Sequence, residues 1–321
     1  MVFFFALFAC LPGQTAAGPK YVDIDKIGQR NINAGQINLY SIDKEIVLGK
    51  QLSLEVERSS HLLNDPEVTE YINRLGQNIV RNSDSQVPFS IKVIDSDEVN
   101  AFALPGGFFY VNTGLILAAQ EESELAGVMA HEIAHVAARH ATEQFSRGRL
   151  FNLASIPLIF VGGPIGFGIQ QAMSILVPLQ FLQFSRGSER EADFLGLQYM
   201  YKTGYDPLSF VSFFEKISAQ EKKKPGLLSR AFSSHPMTKD RISLAQKEIQ
   251  RLLPVHEQYV LSTSEFDHVR ARLREHNNSI DDVSEGSEGR PQLKRKAQPS
   301  EESSEGELAP ADDVPKLTRH P

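Results

Sequence analysis

His131, Glu132 and His135 form the run H-E-x-x-H within residues 125–138, an apolar stretch of helix-favouring side chains. On an α-helix, side chains four apart stand one above the other. His131 and His135 therefore offer two imidazoles from one face, at a spacing that grips a single ion. Glu132 is turned about 100° from His131. Its carboxylate lies beside that ion, where it can hold a water without becoming a ligand. Two imidazoles with an adjacent carboxylate are the arrangement of zinc hydrolases, the metal acting as Lewis acid and the Glu as proton acceptor. Leu125, Val128, Met129, Ile133 and Val136 keep a helical period, so the motif sits on the element it needs. A chance match in a chain of this length has a probability on the order of a percent.

Two histidines leave a catalytic zinc one protein ligand short. Cys10 is the only cysteine, so thiolates cannot complete the site. The best supplier is Ser188-Glu189-Arg190-Glu191-Ala192-Asp193, which opens a helix stopping near Gly204. Glu189 and Asp193 share a face, and Glu191 points roughly the other way. Glu189, with the longer reach, is assigned as third ligand to one zinc ion per chain. Asp193 is assigned to orient a ligand imidazole through its free N–H. Further on, His235 precedes a helix and Arg241 stands under two turns along it. Together they can aim two donors at the oxygen that gains charge in a tetrahedral intermediate. If the motif helix runs unbroken to about Arg147, His140 is out of phase with the two ligands and belongs on the surface or behind them. Residue 141 is Ala, which excludes the metzincin type of site.

The elements that must hold these side chains are mostly helical. Ser41 caps a helix carrying Leu48, Leu52 and Val56 in phase. Asp65-Pro66-Glu67 opens a second, with Ile72, Leu75 and Ile79 on one side. Residues 89–95 alternate as a strand. Two short strands follow, 101–104 and 108–112, turned by Pro105-Gly106-Gly107. The segment Gly107, Phe108, Phe109, Tyr110, Val111 and Asn112 is read as the strand along which an extended peptide substrate pairs by main-chain hydrogen bonds. An ordinary core hairpin is the alternative. The fold class is α+β, with a small sheet whose edge strand lies by the H-E-x-x-H helix.

Outside this region, residues 1–19 read as an export signal. Two fates are open: cleavage after Ala17, releasing a soluble protein, or lipidation of Cys10 through Leu7-Phe8-Ala9-Cys10. Either places the chain in a bacterial periplasm or facing it from a membrane. Residues 20–40 read as an irregular arm. No charged side chain occurs between Arg149 and Arg186, yet Pro157, Gly162, Gly163, Pro164 and Pro178 interrupt the stretch. It is read as an apolar hairpin over 150–185, buried against the core, resting on a membrane surface or covering the cleft. A tail over 277–321, rich in Ser, Glu, Asp and Pro, has too little apolar content to fold. The net charge of -7 argues against a nucleic-acid partner. Nothing in the pattern reports an oligomeric state.

Taken together, H-E-x-x-H at 131–135, E-x-x-x-D at 189–193, N-A-F-A-L-P-G-G at 100–107 and S-H-P-(x)4-R at 234–241 resemble the gluzincin family of HtpX and the CAAX prenyl proteases, peptidase family M48. The likeness covers about residues 41–276 and is closest to bacterial envelope members of the BepA type. It implies a zincin-like domain with zinc on His131, His135 and Glu189, Glu132 as base, and His235 and Arg241 stabilising the transition state. It also implies polypeptide substrates, in particular misfolded or misassembled envelope proteins. In such members the His-bearing loop can fold over the metal and hold the enzyme latent. The several membrane helices of HtpX, and the helical repeats that follow the protease domain in BepA-type members, have no counterpart in this sequence. Two other function classes compete: a chaperone-like envelope assembly factor that rarely cuts, and a structural metal module with a closed four-ligand site.

Overall fold

The structure is a computed structural model of the chain, describing residues 22–159, 184–223, 235 and 238–288. For residues 150–159, 220–223 and 279–288 it describes the backbone alone. The export signal with Cys10, the turn of the apolar hairpin and the tail from 289 lie outside the described residues. The chain divides into two units, residues 1–277 and 278–321. The first carries the fold.

The helices are α1 (Ile42–Ser59), α2 (Pro66–Arg81), α3 (Thr113–Ala118), α4 (Glu122–Ala137), α5 (His140–Ile159), α6 (Arg186–Thr203), α7 (Leu208–Lys223), α8 (Lys239–Leu252) and α9 (Ser264–Glu288). The strands are β1 (Ser90–Ile94), β2 (Ala101–Leu104) and β3 (Phe108–Asn112). Local chemistry sets the helix ends. Ser41 Oγ accepts from Lys44 N–H, Asp65 accepts from Glu67 and Val68 N–H, and Ser185 accepts from Ser188 N–H. Gly204 ends α6 in the left-handed conformation, φ 86°. The last helix runs to Glu288, past the boundary at 277 that composition suggested. Among the described residues, no helix is long and apolar enough to cross a membrane.

Every residue of α4 is buried. A helix apolar on all sides belongs in the middle of a core, and α4 packs against α6, α7, α2 and β2. Leu125, Met129 and Ile133 are fully enclosed, each contributing about 1.5–3 kcal/mol of burial. The H-E-x-x-H motif thus lies on a helix buried along its whole length.

The sheet order is β1-β3-β2, with β1 parallel and β2 antiparallel to β3. This corrects the reading of Gly107–Asn112 as the substrate strand. Phe108, Phe109, Tyr110, Val111 and Asn112 pair on both sides, with residues 90–94 and with residues 101–104. Their main chain has no edge left to offer. Gly107 lies in the turn instead. The sheet edge beside α4 is β2.

The turn itself is pressed onto α1. Gly106 has φ 73°, and a Cβ there would stand 2.6 Å from Ile46 Cα; one on Gly49 would stand 1.8 Å from Pro105 O. Backbone meets backbone, so both positions require glycine.

The arm before α1 is part of the same body. Arg30 and Asp84 form a buried ion pair. Asp84 also accepts from Gly28 N–H at 2.8 Å and from Tyr199 O–H at 3.0 Å, while Arg30 Nη1 donates to Gln198 at 2.6 Å. The arm is thereby bound to α6, which carries Glu189. Arg30→Ala is expected to cost about 2–3 kcal/mol, because a charged hydrogen bond is lost while Gly28 and Tyr199 still serve the carboxylate. Urea unfolding measures it, and a change below about 0.5 kcal/mol, the level of ordinary surface substitutions, would show the pair to be idle.

Candidate metal centre

His131 and His135 project from α4 towards the start of α6. Their Nε2 atoms are 3.1 Å apart. Glu189, in the first turn of α6, places Oε2 3.5 Å from His131 Nε2 and Oε1 3.5 Å from His135 Nε2. Two ligands at about 2.05 Å in a tetrahedral site lie roughly 3.4 Å apart, so these separations suit one zinc ion. His235 joins them: one ligand atom from each of His131, His135, Glu189 and His235 falls within 4.8 Å of the others, and all four residues are buried. Buried His235 Nε2 and Glu132 Oε1 have no hydrogen-bond partner among the described residues. Unpaired polar atoms at this depth are costly, and a bound cation with its water would satisfy both. The donor set of imidazoles and a carboxylate fits zinc.

Electrostatics point the same way. Burial disfavours the imidazolium of His131, but its hydrogen bonds to the carboxylates of Asp193 and Glu189 outweigh this and raise the pKa to about 9. Burial depresses His135 well below its usual value. Glu189 is held far below the usual carboxylate range: burial opposes this, but His131 and His235 prevail. The pocket favours positive charge at its centre. Burial pushes Glu132 upward against the pull of His235 and His131. A base raised towards neutrality is matched to proton transfer at pH 7.

The sequence-assigned residues divide into groups. His131, Glu132, His135, Glu189 and His235 are brought together. Asp193 lies behind them, Oδ1 3.0 Å from His131 Nδ1, as expected of a group that orients a ligand. Arg241 does not face the space over the imidazoles. Its Nε and Nη2 donate to Asp193 at 2.7 and 2.6 Å, and its Nη1 is 2.8 Å from Glu189 Oε2. The guanidinium is buried between two carboxylates. Thr238 caps α8 and fixes this approach, accepting from Arg241 N–H at 3.3 Å. Phe108–Asn112 lie in the sheet interior, as described above.

Sequence reasoning missed three features. The first is the break after α4. The helix does not continue to Arg147: Arg139 adopts φ 56° and α5 restarts at His140. The break turns His140 inward, with Nδ1 3.0 Å from His135 Nδ1 and Nε2 3.3 Å from Glu191 Oε2. A phase count over an unbroken helix could not find this pairing. The second is Phe184, whose ring stacks on His135 at 4.2 Å between centroids. The third is the outer edge of β2, which pairs with no strand among the described residues. Asn112 N–H donates to Asn100 O at 3.0 Å. Alternation along an antiparallel pair then turns the polar groups of Phe102 towards β3 and those of Ala101 and Ala103 outward. Ala103 N–H reaches the Glu132 carboxylate. The open edge therefore runs past the base.

Comparison with known proteins agrees. The profile described as Peptidase family M48 matches residues 63–249. The chain is similar to a beta-barrel assembly-enhancing protease of Escherichia coli (strain K12), 31% identical over 276 residues, covering 81% of this chain and 54% of that protein. The Yersinia pestis protein of the same name is 31% identical over 227 residues, covering 67% of this chain and 46% of the relative. The mitochondrial metalloendopeptidase OMA1 of Schizosaccharomyces pombe is 33% identical over 188 residues, covering 58% and 53%. The chain spans about half the length of these relatives.

Proposed function

The chain belongs to peptidase family M48, a metalloprotease family, and from that premise we propose that it is a zinc-dependent metalloendopeptidase of the cell envelope, exported or lipid-anchored, acting on misfolded or misassembled polypeptides. One observation carries the reading: a buried His131–His135–Glu189 cluster opens beside Glu132 at the outer edge of a strand. His131, His135 and Glu189 would hold the zinc. When bound, the metal supplies a Lewis acid that polarises a peptide carbonyl and acidifies water.

The rest is done by the chain's own residues. An extended substrate segment pairs with the outward main-chain groups of Ala101 and with the carbonyl of Ala103, whose N–H is taken up by Glu132. That alignment carries its scissile bond past Glu132. Glu132 accepts the proton of the attacking water and returns it to the leaving amine. Asp193 holds the His131 ring in register, and Arg241 neutralises Asp193 and Glu189 together. The envelope substrates follow the names of the two bacterial relatives. Incubation with unfolded casein tests the activity: cleavage should stop on chelation and return with zinc. Cleavage that survives exhaustive chelation would remove the reading.

A latch role for His235 is supported by its contacts. Its Nδ1 lies 2.7 Å from Glu189 Oε1 and its Nε2 3.6 Å from Glu132 Oε1. An imidazole held there competes with water for the base and with zinc for its carboxylate ligand. His235→Ala is expected to raise casein cleavage about tenfold or more, the factor by which about 1.4 kcal/mol of occlusion would suppress it. A fall in rate would return His235 to the oxyanion role read from the sequence.

A further inference from the structure

We propose that Glu45 is a positioning residue: its buried carboxylate sets the spacing between the substrate edge of β2 and the metal-binding end of α4. The inference rests on the protease reading above.

Glu45 lies in the first turn of α1, far in sequence from the metal motif, and is 1% exposed. A carboxylate is rarely enclosed to that degree unless it is paired. This one is paired three ways, with three different pieces of chain. Its Oε2 accepts from Arg139 Nε at 2.7 Å and from Thr142 O–H at 3.0 Å. Its Oε1 accepts from Gly106 N–H at 3.4 Å. Gly106 is in the turn that ends β2. Arg139 is the left-handed residue that ends α4, one turn beyond His135. Thr142 is in the first turn of α5.

Between the turn and the end of α4 there is a gap. A small pocket of about 10 Å³ is lined by Leu104 and Pro105 from the turn and by His135, Val136 and Phe184 from the metal end. Glu45 and Arg139 both line it. The Glu45 carboxylate thus ties the two walls across the space between them. Arg139 extends the strap by donating from Nη2 to Tyr40 O at 2.7 Å. The close approach of Gly106 to Ile46 and of Gly49 to Pro105 fixes the turn on α1, so the position of α1 is passed to β2. A peptide on β2 meets the metal ligands at one separation only. A shift of about 1 Å in such a separation can cost about 100-fold in rate.

The test needs ligands that do and do not span that separation. Acetohydroxamate reaches only the metal. A peptide hydroxamate pairs with the strand and reaches the metal together. Dissociation constants for both are measured on the zinc-loaded full chain, on Glu45→Gln and on Arg139→Gly, which keeps the left-handed backbone without the guanidinium. Each variant should weaken the peptide hydroxamate about 10- to 100-fold, the range for groups that orient metal ligands, and leave acetohydroxamate within about twofold. The double variant should be no weaker than the weaker single one, since both break one tie. Equal weakening of both ligands, or of neither, overturns the proposal. Should Glu45→Gln not fold, Arg139→Gly gives the same decision alone. Failure of acetohydroxamate to bind both the zinc-loaded wild type and zinc-loaded His235→Ala, which lacks the imidazole beside Glu189 and Glu132, would instead overturn the protease reading, and the proposal with it.

Discussion

Glu132→Gln is expected to abolish peptide hydrolysis, by at least about 10²- to 10⁴-fold in kcat, in a protein that still binds zinc. Gln fills the same volume in a site where Glu132 is only 2% exposed. Its carbonyl oxygen can still accept from Ala103 N–H, but it cannot take up a proton. The proposed ligands His131, His135 and Glu189 are untouched, so metal content should remain at one equivalent. Stability gives an independent sign. Burial raises the Glu132 pKa above its usual value. The folded metal-free protein therefore holds that proton more tightly than the unfolded chain, and stability falls as pH rises from the usual carboxylate range towards the raised value. Gln removes the fall. The metal-free variant should be at least as stable as wild type at pH 8, with the difference shrinking as pH drops below about 4. A variant that cut casein at the wild-type rate would end the case for Glu132 as base. A variant that lost zinc would show that the carboxylate helps hold it.

The parts of this site that were legible in the sequence are those governed by short-range periodicity. The spacing of His131 and His135, and of Glu189 and Asp193, follows from one helical turn. Both pairs do lie on helices, α4 and α6. The strands at 90–94, 101–104 and 108–112 were legible from alternation and from the Pro105-Gly106-Gly107 turn. Their order was not. β1 lies parallel beside β3 rather than β2, and that choice belongs to the packing of α2 and α4 behind the sheet. It makes β2 the edge and moves the proposed substrate contact from Phe108–Asn112 to Ala101 and Ala103. The break at Arg139 was hidden for another reason. Left-handed backbone is announced by Gly or Asn, and neither occurs there. Arg139 is held in that conformation by Glu45 and Tyr40, from nearly a hundred residues away in the chain. His140, Glu191 and Glu45 were all lost to the same blindness: each gains its role through a partner that only the tertiary fold brings near.

Arg241→Ala is expected to destabilise the fold by about 3–5 kcal/mol, the usual result of stripping the countercharge from buried carboxylates. That is about a fifth or more of the total stability of an ordinary domain. Asp193 is held below its usual pKa, burial opposing and Arg241 prevailing. Glu189 lies 2.8 Å from Nη1 of the same guanidinium. Both groups are about 4% exposed, so water cannot replace the arginine. Pairing the change with Asp193→Ala separates the explanations. If Arg241 serves mainly to neutralise Asp193, the double variant should recover part of the loss, because no unpaired aspartate remains. If Arg241 instead binds the oxyanion, as its spacing from His235 suggested, kcat should fall in Arg241→Ala while the urea midpoint stays within error of wild type. The bidentate contact of its Nε and Nη2 with Asp193 at 2.7 and 2.6 Å is the reason the first outcome is expected. Two parallel charge-assisted bonds from a planar fork leave the guanidinium committed to a carboxylate, and an arginine so engaged acts on the reaction by holding Glu189 and His131 where zinc can be gripped.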